Sequence, residues 1–598
     1  MATDSAERIT SNYERYRAAP FNRPEHYPLG AAPNPALYQP LGQWLGRLVL
    51  PGPAERATVL GAWLALTNAP AEHAALVGQQ LRLRWAPTLA LNARLWGATR
   101  PVHFDGASVE AAAKGTVLGE RLDGLEHVNP FESLAGAHPV DDICVRLEGT
   151  VTLDAEPADG GAPILYVTRD PAQVTGRFYA LVRFLGPSPA GAGDAYRVRH
   201  YDRAARDFSG PEELVQLPEV VPDSNGVRNS TAAGIEASPC NADGWYIYGA
   251  LDGAGQFVVQ ALAPRGLLRL VPQLYCDRTA EGMEYLRPKA WKQASVKGEI
   301  STALLCGDGV SPGMARAAWP VGSRGLIIHL FGGIGGENAE PAAKTPLYWG
   351  HFAFGEATVI HEPLADEPSC DIVYHQVYAH NTDGLTAGAL HYSRYSGDRQ
   401  FGWLGVRPLQ DILVQLDSLT GDFPLGELRV SALNEIFSQL QVMMARYRIA
   451  DGRGGTKIGA LNNCAQDAAQ ALYVAISSVG RTLNGRGGVA AELARHPDDA
   501  RRLDDLRAVG RELRAVLVPW GSARDDWEYS IPVLGGGGND GLLGSLSKAV
   551  ASWRTMLPPV AARALAEVFL EHGASAWVLR SAQVGGHDSS IEPFVPNV

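Results

Sequence analysis

The sequence predicts a multidomain α+β protein, and three observations lead there. Its 598 residues exceed what one hydrophobic core supports, so length predicts about three or four domains. Hydrophobic residues make up 46% and charged residues 19%, the proportions of a globular chain, while 66 glycines and 40 prolines mark many loops. The apolar pattern also changes along the chain, from helical spacing to strand alternation and back.

Residues 1–140 read as a mostly helical region, with helical spacing in "ERATVLGAWLALTN" and "ASVEAAAKGTVLGERL". From 141 the pattern alternates through "DICVRLEGTVTL", "PILYVTRD", "RFYALVRFL", "AYRVRHYD", "WYIYGAL" and "QFVVQAL", separated by Gly, Asp and Pro. Short strands at such spacing predict a β-barrel or sandwich over 141–310. A third segment, 311–480, opens on "RGLIIHLFGGIGG", continues through "DIVYHQVYAH" and ends in the helical patterns "SALNEIFSQLQVMMARYRIA" and "CAQDAAQALYVAISSV". Residues 481–598 read as a helical C-terminal region, including "DDARRLDDLRAVGRELRAVL" and "PPVAARALAEVFLEH".

Charge and composition exclude several functions. Fifty-two basic against 64 acidic residues give a net charge of −12, which supplies no basic face for nucleic acid. No apolar stretch approaches the ~18 residues of a membrane span, and the opening "MATDSAERITSNYERYRAAP" lacks the apolar core of a signal peptide, so a cytoplasmic location is expected. The six cysteines form no CxxC pair, which argues against a zinc ribbon or a disulfide framework. Cys370, His375, His380 and His391 recur at spacings that scatter them over opposite strand faces, so no metal is expected. The glycine runs "GGIGGENAE" and "LGGGGNDGLLGS" lack the Lys-Ser/Thr of a phosphate loop, and no cofactor is expected.

Chemistry concentrates in two places. In "LYWGHFAFGEATVIHEPL", a hairpin turning at Glu356 with Gly355 would bring His351 and His361 face to face. In "IGALNNCAQDAAQALYVAISSVG", Asn462 and Asn463 lead into Cys464 at the start of a helical pattern. The helix dipole there is expected to favour the thiolate and lower its pKa.

This arrangement resembles the circularly permuted NlpC/P60 proteins of the papain-like superfamily, including the lecithin:retinol acyltransferase-like group. The resemblance rests on "GHFAFG", "VIHEP" and "NNCAQ" and covers about 311–480. It implies a permuted papain-like catalytic domain with His351 as base, His361 as the residue that orients it and Cys464 as nucleophile. The oxyanion would be held by the Cys464 N–H and a second donor, with Tyr348 and Asn463 as candidates. His380 and Asp383, in "HNTDG", are candidate substrate contacts beside the site. The expected activity is a cysteine-dependent hydrolase (amidase, peptidase or esterase) that acts on an amide, ester or thioester through a thioester acyl-enzyme. Its alternatives are acyl transfer from the same site, and a non-catalytic binding or assembly protein that uses the β-rich region as its contact module.

Overall fold

The computed structural model describes residues 12–99, 102, 120–189, 193–228, 230–337, 339–344, 347–377, 386–400, 407–425, 428–449, 463–485, 489–517 and 557–597. Among these the chain is α+β and is built on a 15-stranded mixed sheet. No described helix is long and apolar enough to cross a membrane.

The N-terminal region differs from the expected helices, because its strands Leu45–Val49, Ala62–Asn68 and Gln80–Trp85 form an antiparallel run. In "ERATVLGAWLALTN" only Arg56–Val59 is helical; Ala62, Leu64 and Leu66 are then buried at every second position. Gly61 marks the change, since a Cβ there would meet the Leu83 carbonyl oxygen at 2.2 Å. Of "ASVEAAAKGTVLGERL", all but a terminal 3-10 turn lies outside the described residues.

Within the segment expected to be β-rich, β1 (Phe178–Pro187), β2 (Ala195–His200), β3 (Glu212–Gln216), β4 (Trp245–Leu251) and β5 (Phe257–Pro264) close into a barrel. Its pairings run β1-β2-β3-β5-β4 and back to β1, antiparallel except for β3 with β5. Alternation explains the two surfaces of each strand. Ala180, Val182, Phe184, Trp245, Ile247, Phe257 and Val259 fill the barrel, while Leu181, Tyr246, Tyr248, Ala261 and Ala263 point out of it. The strands 144–146 and 164–167 join the large sheet instead, and so does 300–306.

The centre of that sheet is β6 (Ile300–Cys306), β7 (Arg324–Phe331), β8 (His351–Glu362), β9 (Glu367–Gln376), β10 (Leu409–Gln415) and β11 (Ser575–Ser581), in the order β6-β11-β10-β7-β8-β9. The barrel covers one face through Ile327, Phe331, Tyr374, Leu413 and Trp577. Helices cover the other, against Leu326, Ile328, Leu330, Phe352, Phe354 and Ile412. Burial on both faces is why β7 reads as an almost continuous apolar run. The helical layer comprises α1 (Ala432–Ile449), α2 (Cys464–Gly485) and α3 (Pro558–Glu571). The C-terminal region is thus part helical and part sheet, with β11 inserted between β6 and β10.

Candidate active site

His351 and His361 do not face each other. They lie on one 12-residue strand, β8, which runs through Gly355 without turning, and ten residues of strand span roughly 33 Å. Gly355 serves close packing: a Cβ there would approach the Val373 carbonyl oxygen to 2.8 Å. The hairpin turns later, where Asp366 takes a φ of 58°. His361 is 53% exposed there and pairs with Asp366 at 3.0 Å.

His351, at the other end of β8, is buried with its side chain toward the barrel face and its ring 4.9 Å from that of Phe331. Its Nε2 meets Oε1 of Gln376, on β9, at 2.9 Å. Facing a carbonyl oxygen, Nε2 is the donor of this bond. The Tyr395 hydroxyl donates to the same oxygen at 3.4 Å. Gln376, and not His361, is thus the side chain hydrogen-bonded to His351.

Cys464 is the first residue of α2, as its sequence context predicts. Asn463 caps the helix, its Oδ1 accepting the N–H of Ala465 at 3.0 Å and of Gln466 at 3.2 Å. The β8–β9 pairing begins at Phe354–His375. Below it the Phe352 N–H reaches the Cys464 sulfur, which also lies against the N–H groups of Ala465 and Cys464 itself. Phe352 follows His351 in the chain, but its side chain packs with Cys464 in the helical layer, whereas the His351 side chain points to the barrel face.

Burial reverses the expected electrostatics. Desolvation pushes the Cys464 thiol up to about 12, outweighing the N–H groups that favour the thiolate. Burial likewise brings His351 down to about 3, with the Gln376 hydrogen bond opposing the shift. Burial thus favours the neutral form of both groups. Asp467, three residues into α2, is raised to about 7 by burial although it accepts the Tyr447 hydroxyl at 2.7 Å.

A polar network continues from the site along the barrel face. His329 on β7 bonds through Nδ1 to Asp411 on β10, and the Tyr374 hydroxyl donates to the other carboxylate oxygen at 2.6 Å. The His329 ring centre lies 4.6 Å from that of Tyr374 and 5.4 Å from that of Tyr395, which joins this pair to Gln376. All are fully buried, and His329 Nε2 and Gln376 Nε2 have no hydrogen-bond partner among the described residues. The sequence does carry a signal for them: "GLIIHLF" and "LQDILVQ" each hold one ionisable residue in a mainly apolar strand.

The remaining expected residues have other roles or fall elsewhere. The Tyr348 hydroxyl donates to the Gly332 carbonyl at 2.7 Å, and its backbone N–H donates to Asn597 Oδ1 at 2.7 Å, so it ties the chain to the C-terminal segment. The Asn463 side-chain oxygen is committed to the helix cap. His380 and Asp383 lie outside the described residues. His391 bonds Asp371 and Ser393, and His375 stacks on Phe437. Among the described residues no group of three or more His, Cys, Asp or Glu is placed to hold a metal ion. Comparison with protein-family models, with curated proteins and with solved structures found no match to this chain.

Proposed function

We propose that the protein is a cysteine-dependent acyl-processing enzyme in which Cys464 is the nucleophile, His351 the general base and Gln376 the residue that orients it. The observation that supports this most is the 2.9 Å hydrogen bond between His351 Nε2 and the buried Gln376 Oε1, which orients an imidazole on the strand whose next residue, Phe352, turns its N–H to the helix-start thiol of Cys464. On this reading the thiol proton passes to Nδ1 of His351 as the sulfur attacks a substrate carbonyl. The tetrahedral intermediate collapses to a thioester, and the protonated imidazole returns its proton to the departing amine or alcohol. Water then releases the acid product. Because Cys464 and His351 are only 8% and 7% exposed, transfer of the acyl group to an amine held in place of water is the second reading.

Alkylation by iodoacetamide, followed at each cysteine by peptide mass spectrometry, tests the assignment on the wild type, His351→Ala and Gln376→Ala. Because the buried Cys464 thiol must lose its proton to react, its labelling is expected to depend on the base, falling about 100-fold in His351→Ala and about 10-fold in Gln376→Ala. Equal rates at Cys464 in all three proteins would sink the proposal.

A further inference from the structure

A cavity of about 420 Å³ lies between the turns at residues 22–29, the strands 45–47 and 65–67, and the barrel. This volume is in the range of small-molecule sites. None of its lining residues belongs to the Cys464 site, so the inference rests on no reading of that cysteine. Leu45, Leu66, Val145 and Val174 give it an apolar wall.

Its charged groups divide into committed and open ones. Arg394 pairs with Asp398 at 3.1 Å, and Asp398 also takes the Thr175 hydroxyl. Glu25 is exposed to solvent. Arg47 stands directly across the strand pair from Cys144. Arg177 donates Nη2 to the Pro28 carbonyl at 3.0 Å, but its Nε is buried with no hydrogen bond. Neither Arg47 nor Arg177 has a carboxylate partner among the described residues. Asp142 accepts the Tyr13 hydroxyl with Oδ2, while its Oδ1 is buried without a partner.

Arg47 and Arg177 thus bring to one apolar-walled cavity two guanidiniums that have no carboxylate partner among the described residues, and a single carboxylate could bridge them. We propose that this cavity binds a small amphipathic carboxylic acid, such as an N-substituted amino acid. Arg47 and Arg177 receive the carboxylate, and the apolar wall holds the body.

Fluorescence titration of the full chain with dansylglycine tests this, with dansylamide as the probe that lacks the carboxylate. Saturable one-to-one binding of dansylglycine is expected, at least about tenfold tighter than dansylamide. Arg177→Gln and Arg47→Gln should each weaken dansylglycine about tenfold and leave dansylamide unchanged. Thr67→Trp, which fills the cavity from its strand side, should abolish both. A melting curve on each variant establishes folding, and the half-exposed Arg47 keeps the test open if Arg177→Gln does not fold. Equal affinity for the two probes, insensitivity of dansylglycine to the arginine variants, or no saturation would overturn the proposal.

Discussion

Asp467 and His375 carry opposite pH signatures. The folded value of Asp467, about 7, lies above its ordinary 3.8, so its protonated form is the one the fold favours. Its contribution is complete below about 3.8 and is lost as pH rises through about 7, a loss on the order of 4 kcal/mol. Asp467→Asn keeps an acceptor for Tyr447 and should flatten that slope, raising stability at pH 8 but little at pH 4; urea unfolding at the two pH values measures it. His375 is held at about 3 by burial, stacked 4.4 Å from Phe437, with neither ring nitrogen hydrogen-bonded. It stays neutral in the fold but takes a proton when unfolded, so its contribution is complete above about 6.5 and is lost as pH falls toward about 3. His375→Phe removes two unsatisfied nitrogens and should stabilise by about 1–3 kcal/mol, more at pH 5 than at pH 8. At this scale the placement of His351 on a strand and of Cys464 at a helix start was legible, because each has a local pattern. The hydrogen bond of Gln376 to His351 was not, since it depends on where β9 stops beside β8. His361 was misplaced because a glycine that permits close packing looks, in sequence, like one that permits a turn.

At the scale of elements, β7 and β10 are joined by a buried side-chain hydrogen bond as well as by their ladder, between His329 and Asp411. Removing one partner leaves the other buried and unsatisfied, whereas removing both leaves an apolar contact. His329→Leu and Asp411→Leu should therefore each cost about 1–3 kcal/mol, and the double variant clearly less than their sum. A double-mutant cycle in denaturant gives the coupling, and additive costs would show the pair to be independent. The barrel strands were legible because their inner and outer residues alternate so regularly. The strand 62–68 was not, because its run "GAWLALTN" fits helical and strand spacing alike, and the close approach of Gly61 to Leu83, remote in sequence, decides between them.

At the scale of the molecule, the sheet is assembled from distant parts of the chain. All seven residues of β11 are buried, and the strand pairs on both sides, with β6 and β10. A chain ending at Glu571 would leave two central edges open. It is expected to be insoluble, and a soluble, folded product by circular dichroism would count against the central placement. Sequence order concealed this architecture: regions that look like successive domains contribute strands to one sheet, and pairing partners hundreds of residues apart leave no local trace.

The late position of β11 also bears on timing. During synthesis, β6, β7, β8 and β10 emerge before the strand that separates two of them, so their correct order cannot close until residues 575–581 arrive. Until then β6 and β10 have every opportunity to pair wrongly with each other, a hazard of high contact order. The ladder that holds His351 matures on the same schedule, so the nascent chain contains Cys464 well before its sheet surroundings are complete.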